Sequence, residues 1–126
     1  MDRVLGPEHP DTLASRNNLA NALQEQGKYA EAEAGIRAVL TVRERVLGPE
    51  HPDTLLSHYS LAVCLESLGK EKDQRNEKDT ARAHWRDALD HARTAQTAGP
   101  RVFGKDHPYL ARFDREVADL ETKLKE

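Results

Sequence analysis

Arg45-Val46-Leu47-Gly48-Pro49-Glu50-His51-Pro52-Asp53-Thr54-Leu55 repeats, residue for residue, the stretch from Arg3 to Leu13. A worn copy returns as Arg101-Val102-Phe103-Gly104-Lys105-Asp106-His107-Pro108-Tyr109-Leu110. The glycines of the three copies are 48 − 6 = 42 and 104 − 48 = 56 residues apart. Identity of this length, returning along the chain, marks an internal repeat. Its physical content is a helix stop followed by a helix start. Arg-Val-Leu closes an apolar-periodic run, and Gly48 can take the left-handed conformation that ends a helix. Pro49 forbids continuation. Pro52 suits the first turn of the next helix, where its missing N–H has no partner in any case. Asp53 lies near the positive end of that helix dipole. His9, His51 and His107 recur one per repeat, a spacing too wide for a shared metal ion.

Composition narrows the function classes. The 126 residues suffice for one domain with a modest core. Charged residues make up 33% and aromatics 5%, and the net charge is −3, so nothing basic enough to track a phosphate backbone is present. Nucleic acid and membrane partners are not expected, since no apolar run approaches a membrane span. The single cysteine, Cys64, excludes an internal disulfide and fits a reducing, cytoplasmic setting. Residues 1–9 read as the end of a preceding repeat, which suggests a longer array or a built chain.

Helical spacing predicts five helices. The first, 10–26, carries Leu13, Leu19, Ala20 and Leu23 on its buried side and stops at Gly27-Lys28. The second, 29–47, carries Tyr29, Ala32, Ile36, Val39, Leu40 and Val46, with Ala32, Ala34 and Gly35 allowing close approach. The third, 52–68, repeats the first at +42 and is expected to stop at Gly69-Lys70. The polar run Glu71 to Asp79 reads as a loop plus exposed turns. A fourth helix, 76–97, stops before Gly99-Pro100, with Trp85 answering Ile36 at +49. Offsets of 42, 49 and 56 imply two insertions of seven residues, each nearly two helical turns. A fifth helix, 107–124, has the seam Leu110, Phe113, Val117, Leu120 and Leu124, and an outer face that includes Arg112, Arg115, Glu116, Asp119 and Lys123. The domain divides into repeat 1 (10–48), repeat 2 (52–98) and a capping helix (107–125).

Leu19-Ala20-x-x-Leu23-x-x-x-Gly27-x-Tyr29-x-x-Ala32 resembles the tetratricopeptide repeat signature. The 42-residue period and the Arg-Val-Leu-Gly-Pro-Glu-His-Pro junction are similar to the longer variety found in kinesin light chain and many bacterial multidomain proteins. The resemblance implies an all-α solenoid, a right-handed superhelix of antiparallel helix pairs. The first helix of each pair would line a concave groove that takes a partner peptide or helix. Carried over by register, the groove residues are Asn17, Asn21 and Gln24, then Tyr59, Val63 and Glu66, then Arg115, Asp119 and Thr122 with Arg112 one turn earlier. Tyr59 and Val63 stand where paired asparagines would suit an acidic peptide, so an apolar or mixed ligand is equally expected.

Other constellations are weaker. His84, Asp87 and His91 share a helix face but span about 10 Å, wide for one ion. They form the alternative reading of a metal- or small-molecule-binding domain. Trp85 and Cys64 align with core positions. No nucleophile–base pair, phosphate loop or metalloprotease motif is present, so neither catalysis nor a cofactor is expected. A purely structural or capping segment of a longer array is a further alternative. Self-association through the open N-terminal end is expected if no other surface covers it.

Overall fold

A histidine and a proline open each repeat, and the backbone follows them. The computed structural model describes Gly6 and residues 8–126, and among these every regular element is an α-helix. The helices are α1 (Pro10–Glu25), α2 (Tyr29–Leu47), α3 (Pro52–Gln74), α4 (Lys78–Phe103) and α5 (Pro108–Lys125). None is long and apolar enough to cross a membrane. The reading of residues 1–9 as a repeat end falls mainly outside the described residues.

Proline occupies the start of α1, α3 and α5, and a histidine precedes it each time. The histidine is the N-cap. Nδ1 of His9, His51 and His107 accepts from the N–H of Asp11, Asp53 and Tyr109 at 3.1, 3.0 and 3.1 Å. An orphan donor of the first turn is thereby satisfied, the task usually given to Ser, Thr, Asp or Asn. The repeated histidines are thus a capping device. Gly48 and Gly104 close α2 and α4 at φ 95°, ψ 162° and φ 93°, ψ 153°. The positive φ is as expected, but ψ is extended rather than left-handed helical, a region open essentially to glycine alone.

Two expected boundaries are overturned. Helix α3 runs on through Gly69-Lys70 to Gln74, so most of the supposed loop is helix. The turn that matches Gln26-Gly27-Lys28 is Arg75-Asn76-Glu77, at +49. Gly27 and Asn76 have φ 81° and 64°, and Lys28 N–H to Leu23 O and Glu77 N–H to Lys72 O are both 2.9 Å. Asparagine tolerates this conformation better than other residues with a side chain. Gly69 has a different job: a Cβ there would lie 2.2 Å from Nε1 of Trp85. Trp85, 7% exposed, lays its indole on that glycine and donates to the carbonyl of Glu66 at 3.2 Å.

Helix α4 likewise passes Gly99-Pro100 and ends at Phe103. Pro100 lies in the last turn, where one lost hydrogen bond disturbs little of the helix. Gly99 is buried because Leu110 and Phe113 occupy the space of its missing side chain. The result is a matched pair of extensions. Helix α3 exceeds α1 by 23 − 16 = 7 residues, and α4 exceeds α2 by 26 − 19 = 7. The second hairpin is therefore longer by about two turns.

Each helix packs on the next along the chain, and α3 also meets α5. The core is continuous from Ala20, Ala32, Ile36 and Leu40 through Leu61, Ala62, Leu65 and Leu68 to Ala88, Ala92, Val117 and Leu120. A Cβ at Gly35 would lie 3.4 Å from that of Ala20, so α1 and α2 are close there. Leu19 departs from expectation at 62% exposed, whereas its repeat-2 counterpart Leu61 is fully buried. Helix α2 packs against α3, but no described helix occupies the corresponding place before α1. Val46, at 49%, and Ala34 are also exposed rather than packed. Exposed ion pairs recur at the repeat ends: Arg45 pairs with Glu8, and Arg101 with Glu50 at 2.8 Å.

Candidate peptide groove and acidic cluster

Helices α1, α3 and α5 each begin at a capped proline, which sets their rotational register. Residues of α1 and α3 related by +42 face a common surface, whereas the +56 counterparts of Tyr59, Val63 and Glu66 on α5 line neither of its cavities. Asn17, Asn21, Tyr59 and Arg112, from three different helices, line one cavity of about 300 Å³ with Leu56, Ser60, Tyr109 and Phe113. Asn21, Tyr59 and Ser60 also border a more open cavity of about 510 Å³, shared with Gln24, Glu25, Tyr29, Val63 and Ser67. Six of the ten groove residues expected line these two cavities: Asn17, Asn21, Gln24, Tyr59, Val63 and Arg112.

The smaller cavity has an aromatic wall. Tyr59 packs against Phe113 at 5.3 Å between ring centroids, and the guanidinium of Arg112 lies 5.5 Å over the ring of Tyr109. Burial raises the Tyr59 phenol above its usual range; Glu116 adds to this, while Arg112 and Arg115 oppose it. Neutral at physiological pH, this phenol can both donate and accept. Nearby, Oδ1 of Asn17 is buried without a hydrogen-bond partner. An orphaned acceptor beside a cavity suits a ligand that brings an N–H.

Glu66 and Asp119 form a separate group with Glu116. One carboxylate oxygen from each lies within 4.8 Å of the others. Glu116 was expected on the solvent face of α5 but is 7% exposed. Burial, with Glu66 and Asp119 beside it, pushes its carboxyl up to about 8. The ammonium of Lys123 is 4.0 Å from Glu66 and 5.5 Å above the Trp85 ring. Arg115 borders neither cavity and reaches the site only through its charge on Tyr59. Thr122 is exposed and donates to the carbonyl of Ala118 at 3.0 Å. Glu116 was legible only as one charge among several on α5; its proximity to α3 depends on tertiary packing.

The His84–Asp87–His91 constellation does not assemble. Asp87 accepts from Arg37 of α2 at 2.5 Å and lies 3.4 Å from His91. His91 turns to His58 of α3, with their Nδ1 atoms 2.9 Å apart, while Nε2 of His58 is 3.4 Å from Glu44. His84 joins none of these contacts. This polar layer ties α2, α3 and α4 together. Cys64 is fully buried, its thiol is raised by burial to about 11, and it donates to the Tyr29 carbonyl at 3.3 Å. A thiol held protonated in this way is inert as a nucleophile.

No curated protein matches this chain. Residues 12–53 match the tetratricopeptide repeat family model. The match covers one 42-residue period, from α1 through α2 to the start of α3. With the all-helical chain of packed hairpins around it, this match identifies the fold as a tetratricopeptide-type helical repeat.

Proposed function

We propose that this chain is a non-catalytic protein-interaction module that takes an extended segment of a partner protein along α1, α3 and α5. The observation that carries this reading is the convergence of Asn17, Asn21, Tyr59 and Arg112, drawn from three helices, on one cavity. Asparagine amides can pair with both donors and acceptors of a peptide backbone. Tyr59, Tyr109 and Phe113 offer stacking surface, and Arg112 can pair with a carboxylate. The pattern suits a mixed ligand with an apolar or aromatic side chain beside an acidic one. The period and the Arg-Val-Leu-Gly-Pro-Glu-His-Pro junction support the kinesin-light-chain-like variety of the repeat. Lone Cys64 supports a cytoplasmic setting. Exposed Leu19 supports self-association through α1 as a secondary contact.

The test is selection of a displayed random-peptide library on the chain, followed by affinity measurement on Asn17→Ala/Asn21→Ala. The expected outcome is a set of peptides that lose about tenfold or more in affinity for the variant, while its melting temperature stays near that of the parent. Peptides that bind both proteins equally would place recognition elsewhere.

A further inference from the structure

We propose that Glu66, Glu116 and Asp119 form a binding site for a hard divalent cation, of the Ca²⁺, Mg²⁺ or Mn²⁺ type, that clamps α5 onto α3. Three carboxylate oxygens already lie within 4.8 Å of one another, close enough to share one ion. Independent support comes from Glu116, which is 7% exposed and whose buried Oε2 finds no N–H or hydroxyl donor, only the neighbouring carboxyl of Glu66. A buried carboxylate requires compensation by a donor or a cation. Lys123 is the nearby cation; it lies 4.0 Å from Glu66, at the long limit of an ion pair, and partly over Trp85.

The donors are all oxygen, which selects hard ions over those that prefer imidazole or thiolate. Asp119 is exposed, so water can complete the coordination shell on that side. The frame is rigid where it matters. Glu116 and Asp119 are three apart on α5, whose Val117 and Leu120 are in the core, and the Glu66 backbone is held by the Trp85 indole. This site stands on its own, whether or not the groove takes a peptide.

The experiment is calorimetric titration of the chelator-treated chain with Ca²⁺, Mg²⁺ and Mn²⁺, with thermal melts in parallel and Mn²⁺ spin resonance to count bound ions. The expected result is one ion per chain and a melting temperature that rises with ion concentration, as mass action requires. Glu116→Gln and the milder, surface Asp119→Asn should each weaken binding by roughly tenfold or more while keeping the helical spectrum. Absence of binding at millimolar ion would overturn the proposal. So would binding that survives both substitutions, which would place the ion elsewhere. If metals have no effect but a lysine-bearing peptide binds and is lost in Asp119→Asn, the cluster takes a partner's cationic side chain instead, and the metal assignment falls.

Discussion

At the scale of single residues, histidine does two kinds of work here. His9, His51 and His107 cap helices, their Nδ1 atoms accepting from the first turn. His58 and His91 face each other inside the polar layer, and only one of two Nδ1 atoms 2.9 Å apart can carry a proton comfortably. Burial lowers the affinity of both for protons; His91 lowers His58 further, and Arg37 lowers His91. Glu44, Asp87 and Asp90 oppose the shift but do not reverse it. The sign follows from linkage. The unfolded chain takes up protons near the ordinary histidine value of 6.5, while the folded chain does so only at lower pH. Stability is therefore full above about pH 6.5 and falls as the solution is acidified through the lowered folded values. Thermal melts across this range should show the decline, and His91→Gln should reduce its slope. An unchanged slope in that variant would assign the acid sensitivity to other groups.

At the scale of helices, glycine proves to have two meanings that look alike in sequence. Gly27 ends a helix at positive φ; Gly69, equally followed by lysine, lies inside one. Only the position of Trp85, sixteen residues further on, tells them apart, and that contact is tertiary. Replacing Gly69 with alanine sets a methyl group against the indole and should cost about 1–3 kcal/mol by overpacking. Denaturant unfolding would measure the loss, and the tryptophan emission should shift as the ring is displaced. No loss would mean the ring has room to move. The same contrast shows what was readable in advance. Helix starts were legible, because proline and its preceding residue act within one turn. The groove register was legible for α1 and α3, where +42 places Asn17 and Tyr59 on one cavity, but not for α5, where the +56 counterparts Arg115, Asp119 and Thr122 line neither cavity and Arg112, one turn earlier, enters instead. Helix ends in the second hairpin were not, because the stop is Asn76 in a polar run and Pro100 is tolerated near a terminus. The role of Glu116 was not, because its burial depends on how α5 lies on α3.

At the scale of the whole molecule, the paired seven-residue extensions make a mechanical demand. A hairpin can lengthen without disturbing its neighbours only if both arms grow together. Helix α3 travels two extra turns to the turn at Arg75-Asn76-Glu77, and α4 must return the same distance before Arg101 can meet Glu50 and Gly99 can receive Leu110 and Phe113. Excising residues 68–74 and 78–84 together would leave arms of 16 and 19 residues, the lengths of α1 and α2. That chain loses the contacts of Leu68 and Ala81 with the core and should be less stable, yet it should still unfold in one cooperative step. Excising 78–84 alone keeps the buried face of α4 in phase, since seven residues are nearly two turns. It nevertheless brings the α4 terminus about 10 Å short of its partners. This chain should melt at a lower temperature than the doubly shortened one, although it retains more residues, and with a broader transition. If the singly shortened chain were the more stable, arm matching would not govern the second hairpin, and the two insertions would be unrelated features of the chain.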